Sequence, residues 1–420
     1  MPLWSTALPT PPMPTPRVLR VVRDVWSRMV AQPRAAGPIL SAALREARTL
    51  GSKERPVAGD MLLGMIRHER ALTRLAPDPV DAWLRLAAEG VPDLPDGPEA
   101  YAVATSLPAA LADEWWARLG PDSATELART IAGRAPVALR VLHKDAFRRG
   151  LLDLGTPRGG LTRGGGAPPI AAHRVGGWGL VLDEGVNVYT LDAFRAGHVI
   201  VQDLGSQAIV DKAWEMLGSA GPGARVLDLC SGAGGKALGL AALGAQVQAW
   251  DVRQSALQEL VRRARQARLP ITIGPPRGRY DLVLVDAPCS GTGVLRRHPE
   301  NRWKLDYPFA VQRQLLAEAL TLAPHVLYAT CALTRMENEE GVRNVGTPDT
   351  EQTLWPAPGA QDGFFLATFT RDAAPRTRGG EGGGGAEMGP NLGRLPGTVM
   401  SDGRKPDGRS RRGRAPVVPS

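Results

Sequence analysis

A carboxylate and two thiols follow two apolar segments of this chain. Asp286 and Cys289 belong to the stretch YDLVLVDAPCSGTG, and Cys331 follows HVLYAT. Thiolates rather than thiols act as nucleophiles, and carbon 5 of a pyrimidine becomes nucleophilic only after a thiolate has added to carbon 6. Two thiols and one acid are a sufficient set for methylating that carbon. One thiol would attack, the acid would hold nitrogen 3, and the second thiol would help release the product.

Both cysteines also have a simpler interpretation as small buried hydrophobic residues. For Cys331 alone that interpretation is slightly favoured. The polar, glycine-rich stretch CSGTG is a poor place to bury Cys289 for packing. The chain contains three cysteines, the third being Cys230. This odd number predicts free thiols in a reducing compartment, with the cytoplasm as the default.

A glycine-rich stretch, VLDLCSGAGGK, joins another apolar segment to a helical one. Glycines at positions 232, 234 and 235 let the backbone approach a ligand closely. Asp251 ends the next apolar segment about 20 residues further on, where a ribose-binding acid belongs. The usual G-x-G-x-x-G pattern is not met, and glycine-rich turns also serve packing alone. Together with Asp251, the turn indicates an adenosine-containing cofactor.

Between residues 198 and 371, strand-like apolar segments alternate with helical ones. The predicted strands are ARVLDLC, AQVQAWDV, YDLVLVDA, HVLYATC and GFFLATFT, and the helices include GGKALGLAAL, QSALQELVRRARQA and PFAVQRQLLAEALTLA. This alternation is typical of a parallel, doubly wound α/β sheet. Active sites in such sheets lie beyond the carboxyl ends of the strands. We therefore expect Asp286, Cys289 and Cys331 to meet at that edge.

The remainder of the chain divides into four segments. Residues 1–17 are rich in proline and predicted to be flexible, and residues 18–134 have the apolar spacing of five to seven helices. Residues 135–197 combine short alternating strands with a glycine-rich loop and are predicted to form a small α+β subdomain. Residues 372–420 contain almost nothing to bury and are predicted to be a disordered Gly/Arg-rich tail.

Charge and hydropathy restrict the possible partners. The formal net charge is +9, but the segment from Arg371 onward has ten basic and five acidic residues. The other 370 residues therefore carry only +4, which gives weak support for a nucleic-acid partner. The chain has no apolar run of about 18 residues, so no membrane span is expected. The amino terminus argues against a secretory signal, and the histidines show no metal-ligand spacing, so no metal is expected.

The motifs resemble those of the RNA cytosine-5 methyltransferases, which are Rossmann-like enzymes that use S-adenosylmethionine. The stretches DAPCSGTGVLRRHPENRW and YATCALTRMENEE carry most of the resemblance, and VQDLGSQA and DGFFLATF support it in the right order. The resemblance covers roughly residues 135–371. It implies methylation of carbon 5 of a cytidine in RNA through a covalent adduct between a cysteine and carbon 6.

The resemblance also implies roles for individual residues. Cys331 would be the nucleophile, Cys289 would assist release of the product, and Asp286 would contact both the cytosine and the cofactor. Asp251 would bind the ribose hydroxyls. The cofactor loop would be Cys230, Ser231, Gly232, Ala233, Gly234, Gly235 and Lys236, in which Cys230 is structural. DNA cytosine methyltransferases use the cysteine after the proline as nucleophile, so exchanged roles of the two thiols stay open.

One departure from the family lies between Ala267 and Tyr280. Relatives carry a strand there, followed by an acid near the adenine, whereas this chain has LPITIGPPRGRYD with no carboxylate before Asp281. Either backbone groups contact the adenine here, or the affinity for the cofactor is lower. A lost cofactor site would leave a non-catalytic RNA-binding or ribosome assembly factor as the alternative.

The helical segment indicates which group within this family the chain resembles most. LGSKERPVAGDMLLGMIRHERALTRL, residues 50–75, resembles the NusB-like RNA-binding domain that precedes the methyltransferase domain in RsmB-type enzymes of bacterial 16S ribosomal RNA. A generic helical bundle is the alternative. The favoured substrate is therefore ribosomal RNA, with transfer RNA as the second possibility. The protein is expected to be a cytoplasmic monomer.

Overall fold

The computed structural model describes residues 14–47, 49–89, 97–143, 172–183, 186–303 and 306–371. These residues all belong to one compact unit. The predicted disordered tail and most of the predicted flexible amino terminus lie outside them. None of the described helices is long and apolar enough to cross a membrane.

The amino-terminal region is helical, as predicted. Its helices are α1 Pro16–Ala31, α2 Ala36–Glu46, α3 Glu54–Arg67, α4 Glu69–Leu75, α5 Pro79–Glu89, α6 Pro98–Thr105 and α7 Ala109–Ala132. Helix α1 begins where the Thr15 side chain accepts a hydrogen bond from Val18 N and Pro16 occupies the first turn, because proline needs no partner there. Helix α7 is interrupted at Gly120, which has a φ of 74° and precedes Pro121.

A small antiparallel sheet follows the helices. Its strands are β1 Ala138–Val141, β2 Ala172–Val175, β3 Gly179–Leu182 and β4 Val199–Val201, in the order β2-β3-β1-β4, and the short helix α8 Asp192–Arg195 precedes β4. Strand β4 lies beyond residue 197, which the sequence analysis took as the end of the α+β subdomain. The glycine-rich loop within residues 144–171 lies outside the described residues.

The larger sheet has seven strands, and the residues predicted to be catalytic lie at or just after the ends of its strands. Its strands are β5 Arg225–Asp228, β6 Gln246–Ala249, β7 Ile271–Ile273, β8 Leu282–Asp286, β9 His325–Thr330, β10 Thr350–Leu354 and β11 Phe364–Thr370, in the order β7-β6-β5-β8-β9-β11-β10. Its helices are α9 Leu204–Leu217, α10 Gly235–Leu243, α11 Gln254–Ala267, α12 Phe309–Leu322 and α13 Glu339–Arg343. The predicted α/β class is confirmed.

Strand β11 differs from the expected parallel arrangement. It pairs antiparallel with both β9 and β10, whereas β5 to β9 are parallel to one another. The loop from Leu354 to Phe364 is too short for a crossover, and an antiparallel return suits a short connection. Strands β7 and β10, which were not predicted, form the two edges of this sheet.

Strand register brings the reactive residues to one edge. Asp286 is paired with Ala329, two residues before Cys331. The strand residues Leu282 to Val285 are completely buried, and burying each such side chain stabilises the fold by about 1.5–3 kcal/mol. The site is therefore held by the core of the sheet.

The segment Pro299–Trp303, a 3-10 helix, anchors the sheet domain in the helical region. Arg302 is buried, and its Nη1 donates to the carbonyl oxygens of Arg67 (2.8 Å), Thr105 (2.7 Å) and Ile66 (3.3 Å). These carbonyls lie at the carboxyl ends of α3 and α6, where a cation is favourable. Trp303 donates from Nε1 to Glu69 at 2.7 Å.

Candidate active site

The two predicted catalytic thiols are in contact. The Sγ atoms of Cys289 and Cys331 lie 3.3 Å apart. Gly293 N donates to the carbonyl oxygen of Cys331 at 2.8 Å, which ties the loop after β8 to the end of β9. A Cβ atom at Gly293 would lie only 2.2 Å from the carbonyl oxygen of Gly363. Glycine is therefore required at position 293 for close packing of the backbone.

The environment of Cys289 favours its protonated form. The hydrogen bond with Cys331, burial, and the negative charges of Cys331 and Glu337 raise the pKa of the Cys289 thiol well above its usual value. Cys331 interacts with a cation instead. Its negative charge helps to raise the pKa of Lys236. The two thiols therefore lie in different electrostatic surroundings.

Lys236 forms a short ion pair with Asp286. Its Nζ lies 2.6 Å from Asp286 Oδ2, and the lysine side chain is nearly buried. Burial lowers the pKa of an ammonium group, but the charge of Asp286 and its hydrogen bond, with the charge of Asp228, outweigh burial and raise the pKa of Lys236. The loop predicted to bind the cofactor and the acid predicted to contact the base are thus connected.

Asp228 is a further acid of the site, for which the sequence analysis named no role. It ends β5 and is buried. Burial and the charge of Asp286 raise its pKa to about 7, while Lys236 and the backbone N–H of Ala237 act in the opposite direction. Lys236 therefore lies in the field of two carboxyl groups. An acid within an otherwise apolar strand was the only signal for it in the sequence.

The glycine-rich loop forms a turn that opens α10. Gly232 and Gly234 have φ angles of 54° and 80°, which favour glycine. A Cβ atom at Gly234 would lie 2.0 Å from Leu260 Cδ1, so the loop packs directly on α11. Ser231 N donates to the carbonyl oxygen of Trp250 at 2.9 Å, which ties the loop to the segment after β6.

Asp251 lies beside this loop, as the spacing predicted. Its Oδ2 accepts from Gly232 N at 2.8 Å, and its Oδ1 accepts from Arg253 Nε at 3.0 Å and Arg253 N at 2.8 Å. Burial acts to raise the pKa of Asp251, but these hydrogen bonds and the charge of Arg253 outweigh it and lower the pKa. The acid is thus ionised, and the guanidinium of Arg253 contacts both of its oxygens.

Cys230 and the segment predicted to lie near the adenine complete the predicted cofactor region. Burial and the charges of Asp228, Asp286 and Asp251 raise the pKa of the Cys230 thiol well above its usual value, so this thiol stays protonated at neutral pH. Strand β7 provides the strand that the sequence analysis had not identified there. The loop after it is held by Gln248, whose Nε2 donates to the carbonyl oxygens of Gly274 and Pro275.

A cleft of about 910 Å³ opens onto the thiols. Cys289 and Cys331 line it from the sheet domain, and Gly37, Ser41 and Leu63 line it from the helical region. This volume can accommodate a nucleobase with its sugar, which is the size range of small-molecule sites. The helical region therefore forms one wall of the cleft, which the sequence alone did not predict.

Comparison with known proteins identifies relatives of this site. Residues 217–347 match the family described as 16S rRNA methyltransferase RsmB/F. The chain is 32% identical over 226 residues to ribosomal RNA small subunit methyltransferase B of Citrobacter koseri, a match that covers 46% of this chain and 51% of that protein. It is 35% identical over 223 residues to the protein of the same name from Cronobacter sakazakii, covering 45% and 51%.

Solved structures share the fold. The crystal structure of PH0851 matches with a TM-score of 0.64 and 19% identity, covering 87% of this chain and 100% of that one. A methyltransferase homologue from Pyrococcus horikoshii matches with a TM-score of 0.51 and 19% identity, covering 66% and 100%. The chain spans about half the length of the curated relatives it matches.

Proposed function

We propose that this protein methylates carbon 5 of a cytidine in 16S ribosomal RNA, with S-adenosylmethionine as methyl donor. The match of residues 217–347 to the RsmB/F family and the similarity to ribosomal RNA small subunit methyltransferase B support this proposal. The observation that carries the proposal is the contact between Cys289 and Cys331 at 3.3 Å, beside the Lys236–Asp286 ion pair. We further expect the protein to act in the cytoplasm, since a reducing compartment keeps the thiols free, and to act there as a monomer.

The residues of the glycine-rich loop fit the proposed cofactor. Gly232 leaves the backbone open to a ligand, because a Cβ atom there would meet only Arg253 Nη2, at 3.5 Å. Asp251 lies where it can accept hydrogen bonds from ribose hydroxyls. Arg253, whose side chain is 67% exposed, must leave at least one oxygen of Asp251 for this to occur. When bound, S-adenosylmethionine supplies an electrophilic methyl group.

The first step assigned to the thiols is addition to the base. The Sγ of ionised Cys331 forms a bond to carbon 6 of the cytosine, and the electron pair of the carbon 5–carbon 6 double bond becomes delocalised over carbon 5 and nitrogen 3. Asp286 holds that edge of the base, and the nearby ammonium of Lys236 stabilises the thiolate before attack. Carbon 5 then carries the electron pair that accepts the methyl group.

Release of the product requires a base. Once Cys331 is bonded to carbon 6 it has lost its charge, so its hydrogen bond and its charge no longer raise the pKa of Cys289, whereas burial and the charge of Glu337 still do. Cys289 can then ionise and take the proton from carbon 5. The electron pair of that C–H bond restores the double bond, and Cys331 leaves as a thiolate. The order of the two steps thus follows from the contact between the thiols.

The RNA must present its base to the cleft. A cytidine within a stack must turn out to reach Cys331, at a cost of roughly a few kcal/mol. The wall formed by Gly37, Ser41 and Leu63 faces the thiols. We propose that the helical region is a NusB-like RNA-binding domain that holds the nucleotides next to the target.

Covalent trapping on a denaturing gel tests the function. Unmodified 16S ribosomal RNA and transfer RNA are incubated with cofactor and with wild type, Cys289→Ala or Cys331→Ala protein. We expect Cys289→Ala alone to form a denaturation-resistant adduct, and only with ribosomal RNA. An adduct with transfer RNA would change the substrate, and one that persists in Cys331→Ala would exchange the roles of the thiols. No adduct and no binding of S-adenosylmethionine would favour a non-catalytic assembly factor.

A further inference from the structure

Two adjacent buried residues hold the backbone on both sides of the two thiols. Glu337 and Asn338 follow Cys331 in the stretch CALTRMENEE and are both fully buried. Neither side chain lines the cleft at the thiols. Their hydrogen bonds nevertheless end on the neighbours of Cys289 and Cys331.

Glu337 fixes the segment of Cys289. Its Oε1 accepts from Ser290 N at 2.8 Å, and its Oε2 accepts from Ser290 Oγ at 2.6 Å. Gln312 extends this network to the other side, because its Nε2 donates both to Glu337 Oε1 (3.2 Å) and to the carbonyl oxygen of Pro288 (2.8 Å). The residues before and after Cys289 are thus both tied to one carboxylate.

Asn338 fixes the segment of Cys331 in the same way. Its Oδ1 accepts from Thr330 Oγ1 at 2.7 Å, and its Nδ2 donates to the carbonyl oxygen of Ala332 at 3.0 Å. The residues before and after Cys331 are therefore tied to one amide. An ionised carboxylate can accept all the hydrogen bonds that surround Glu337, whereas position 338 needs one acceptor and one donor.

We propose that Glu337 and Asn338 are positioning residues that set the 3.3 Å contact between the thiols, with Glu337 acting on product release and Asn338 acting on adduct formation. This inference rests on the proposed function. It assigns the acid and the amide, which contact no substrate, to two separate steps. The networks end on different segments, so the two residues are separable by mutation.

Isosteric substitutions test the assignment. Glu337→Gln replaces one acceptor oxygen by a donor facing Ser290, and Asn338→Asp removes the donor to Ala332. We expect Glu337→Gln to accumulate the RNA adduct about tenfold over wild type, as Cys289→Ala does, because a misplaced Cys289 slows release. In the Cys289→Ala background, Asn338→Asp is expected to slow adduct formation by about tenfold.

A second readout works without RNA. Diamide oxidises two neighbouring thiols to a disulfide, and both thiol hydrogens pass to its nitrogen–nitrogen double bond to give the hydrazine. We expect the Cys289–Cys331 disulfide, identified by peptide mapping, to form about tenfold more slowly in Glu337→Gln and in Asn338→Asp than in wild type. A slowed reaction without any RNA adduct in Cys289→Ala would keep the positioning role and reject the proposed function.

The matched control is Gln207→Met, which removes two buried hydrogen bonds, to the carbonyl oxygens of Leu139 and Gln202. It should lower the melting temperature while leaving disulfide formation and adduct yield unchanged. If Glu337→Gln does not fold, Ser290→Ala removes the Oγ donor from the other end. Variants at 337 and 338 that match Gln207→Met in every readout would overturn the proposal and leave both residues purely structural.

Discussion

The Nζ of Lys236 lies 2.6 Å from Oδ2 of Asp286, which joins the first turn of α10 to the carboxyl end of β8. The pair connects the loop assigned to the cofactor with the acid assigned to the base. The negative charge of Cys331 also helps to raise the pKa of this ammonium group. One lysine thus acts on both halves of the site, and Asp228 adds a second acid to its surroundings.

Replacing Lys236 should affect attack by the Cys331 thiolate rather than binding of the substrate. We expect Lys236→Met to reduce methyl transfer by at least about tenfold, because the Cys331 thiolate loses its cation and Asp286 loses its partner. The pH dependence of the reaction should also change, because the charges of Lys236 and Cys331 interact. The measurement is the rate of methyl transfer from pH 6 to 9, roughly the range in which thiols titrate.

The control for Lys236→Met is Lys212→Met, which removes an exposed pair with Glu215 on α9. Exposed pairs contribute about 0–1 kcal/mol to stability, so this variant should keep both the rate and the pH profile. A Lys236→Met protein with an unchanged pH profile would contradict the interaction between Lys236 and Cys331.

Asp228 should make stability depend on pH. Its pKa is raised from 3.8 to about 7 in the folded protein, so its contribution is fully present below pH 3.8 and is lost as the pH rises through 7. We expect Asp228→Asn to weaken the fall in the free energy of unfolding between pH 5 and 8, by up to about 3 kcal/mol. Urea titrations across that range measure it.

An exposed acid provides the comparison for Asp228. Asp113→Asn changes an exposed residue of α7 and should leave the pH dependence as in wild type. If wild type and Asp228→Asn have parallel pH profiles, Asp228 is ionised in the folded state at pH 5, and the interaction with Asp286 is weaker than inferred.

Arg253 should compete with the cofactor for Asp251. Its guanidinium contacts both carboxylate oxygens, at 3.0 and 3.1 Å. We expect Arg253→Ala to bind S-adenosylmethionine several-fold more tightly and Asp251→Asn to bind it about tenfold more weakly. Calorimetric titration measures both, with Arg262→Ala on α11 as the exposed-arginine control. Weaker binding in Arg253→Ala would mean that the arginine itself holds the ligand.

Gly293 should control the contact between the thiols. A Cβ atom there would lie 2.2 Å from Gly363 O and 2.9 Å from Cys331 O, so the backbone must move. We expect Gly293→Ala to lower stability by about 1–3 kcal/mol and to slow Cys289–Cys331 disulfide formation. Gly177→Ala is the control, because nothing lies within 4 Å of a Cβ atom at that position. Unchanged disulfide formation in Gly293→Ala would show that the two loops move together.

The sequence predicted those parts of the site that lie at the ends of buried strands. Asp286, Cys289 and Cys331 could be placed together because parallel strands end at the same edge of a sheet. Asp251 could be placed beside the glycine-rich loop by its distance along the chain. These predictions depend on apolar segments, which are clear in the sequence wherever a strand is buried on both faces.

Elements without such a segment were missed or misread. Strand β7 has three residues, and β10 reads TEQTL; both are partly exposed edge strands, which need no apolar run. The direction of β11 depends on the length of the loop before it rather than on its own residues. The partners of Lys236, Glu337 and Arg302 are far apart in the chain, and no local pattern specifies them.

Arg302 is the clearest case of such a distant partner, and it yields the last prediction. Its buried guanidinium donates to the carboxyl ends of α3 and α6, and burial lowers its pKa to about 9. Arg302→Met keeps the length of the side chain but leaves those carbonyl oxygens without their donor. We expect a loss of about 2–4 kcal/mol in stability and faster amide hydrogen exchange at the ends of both helices.

Arg262→Met, an exposed change on α11, should show neither effect. Methyl transfer should fall with Arg302→Met as well, because the segment Pro299–Trp303 also positions the cleft wall opposite the thiols. Normal hydrogen exchange in α3 and α6 would show that Arg302 is not needed to hold the ends of these helices.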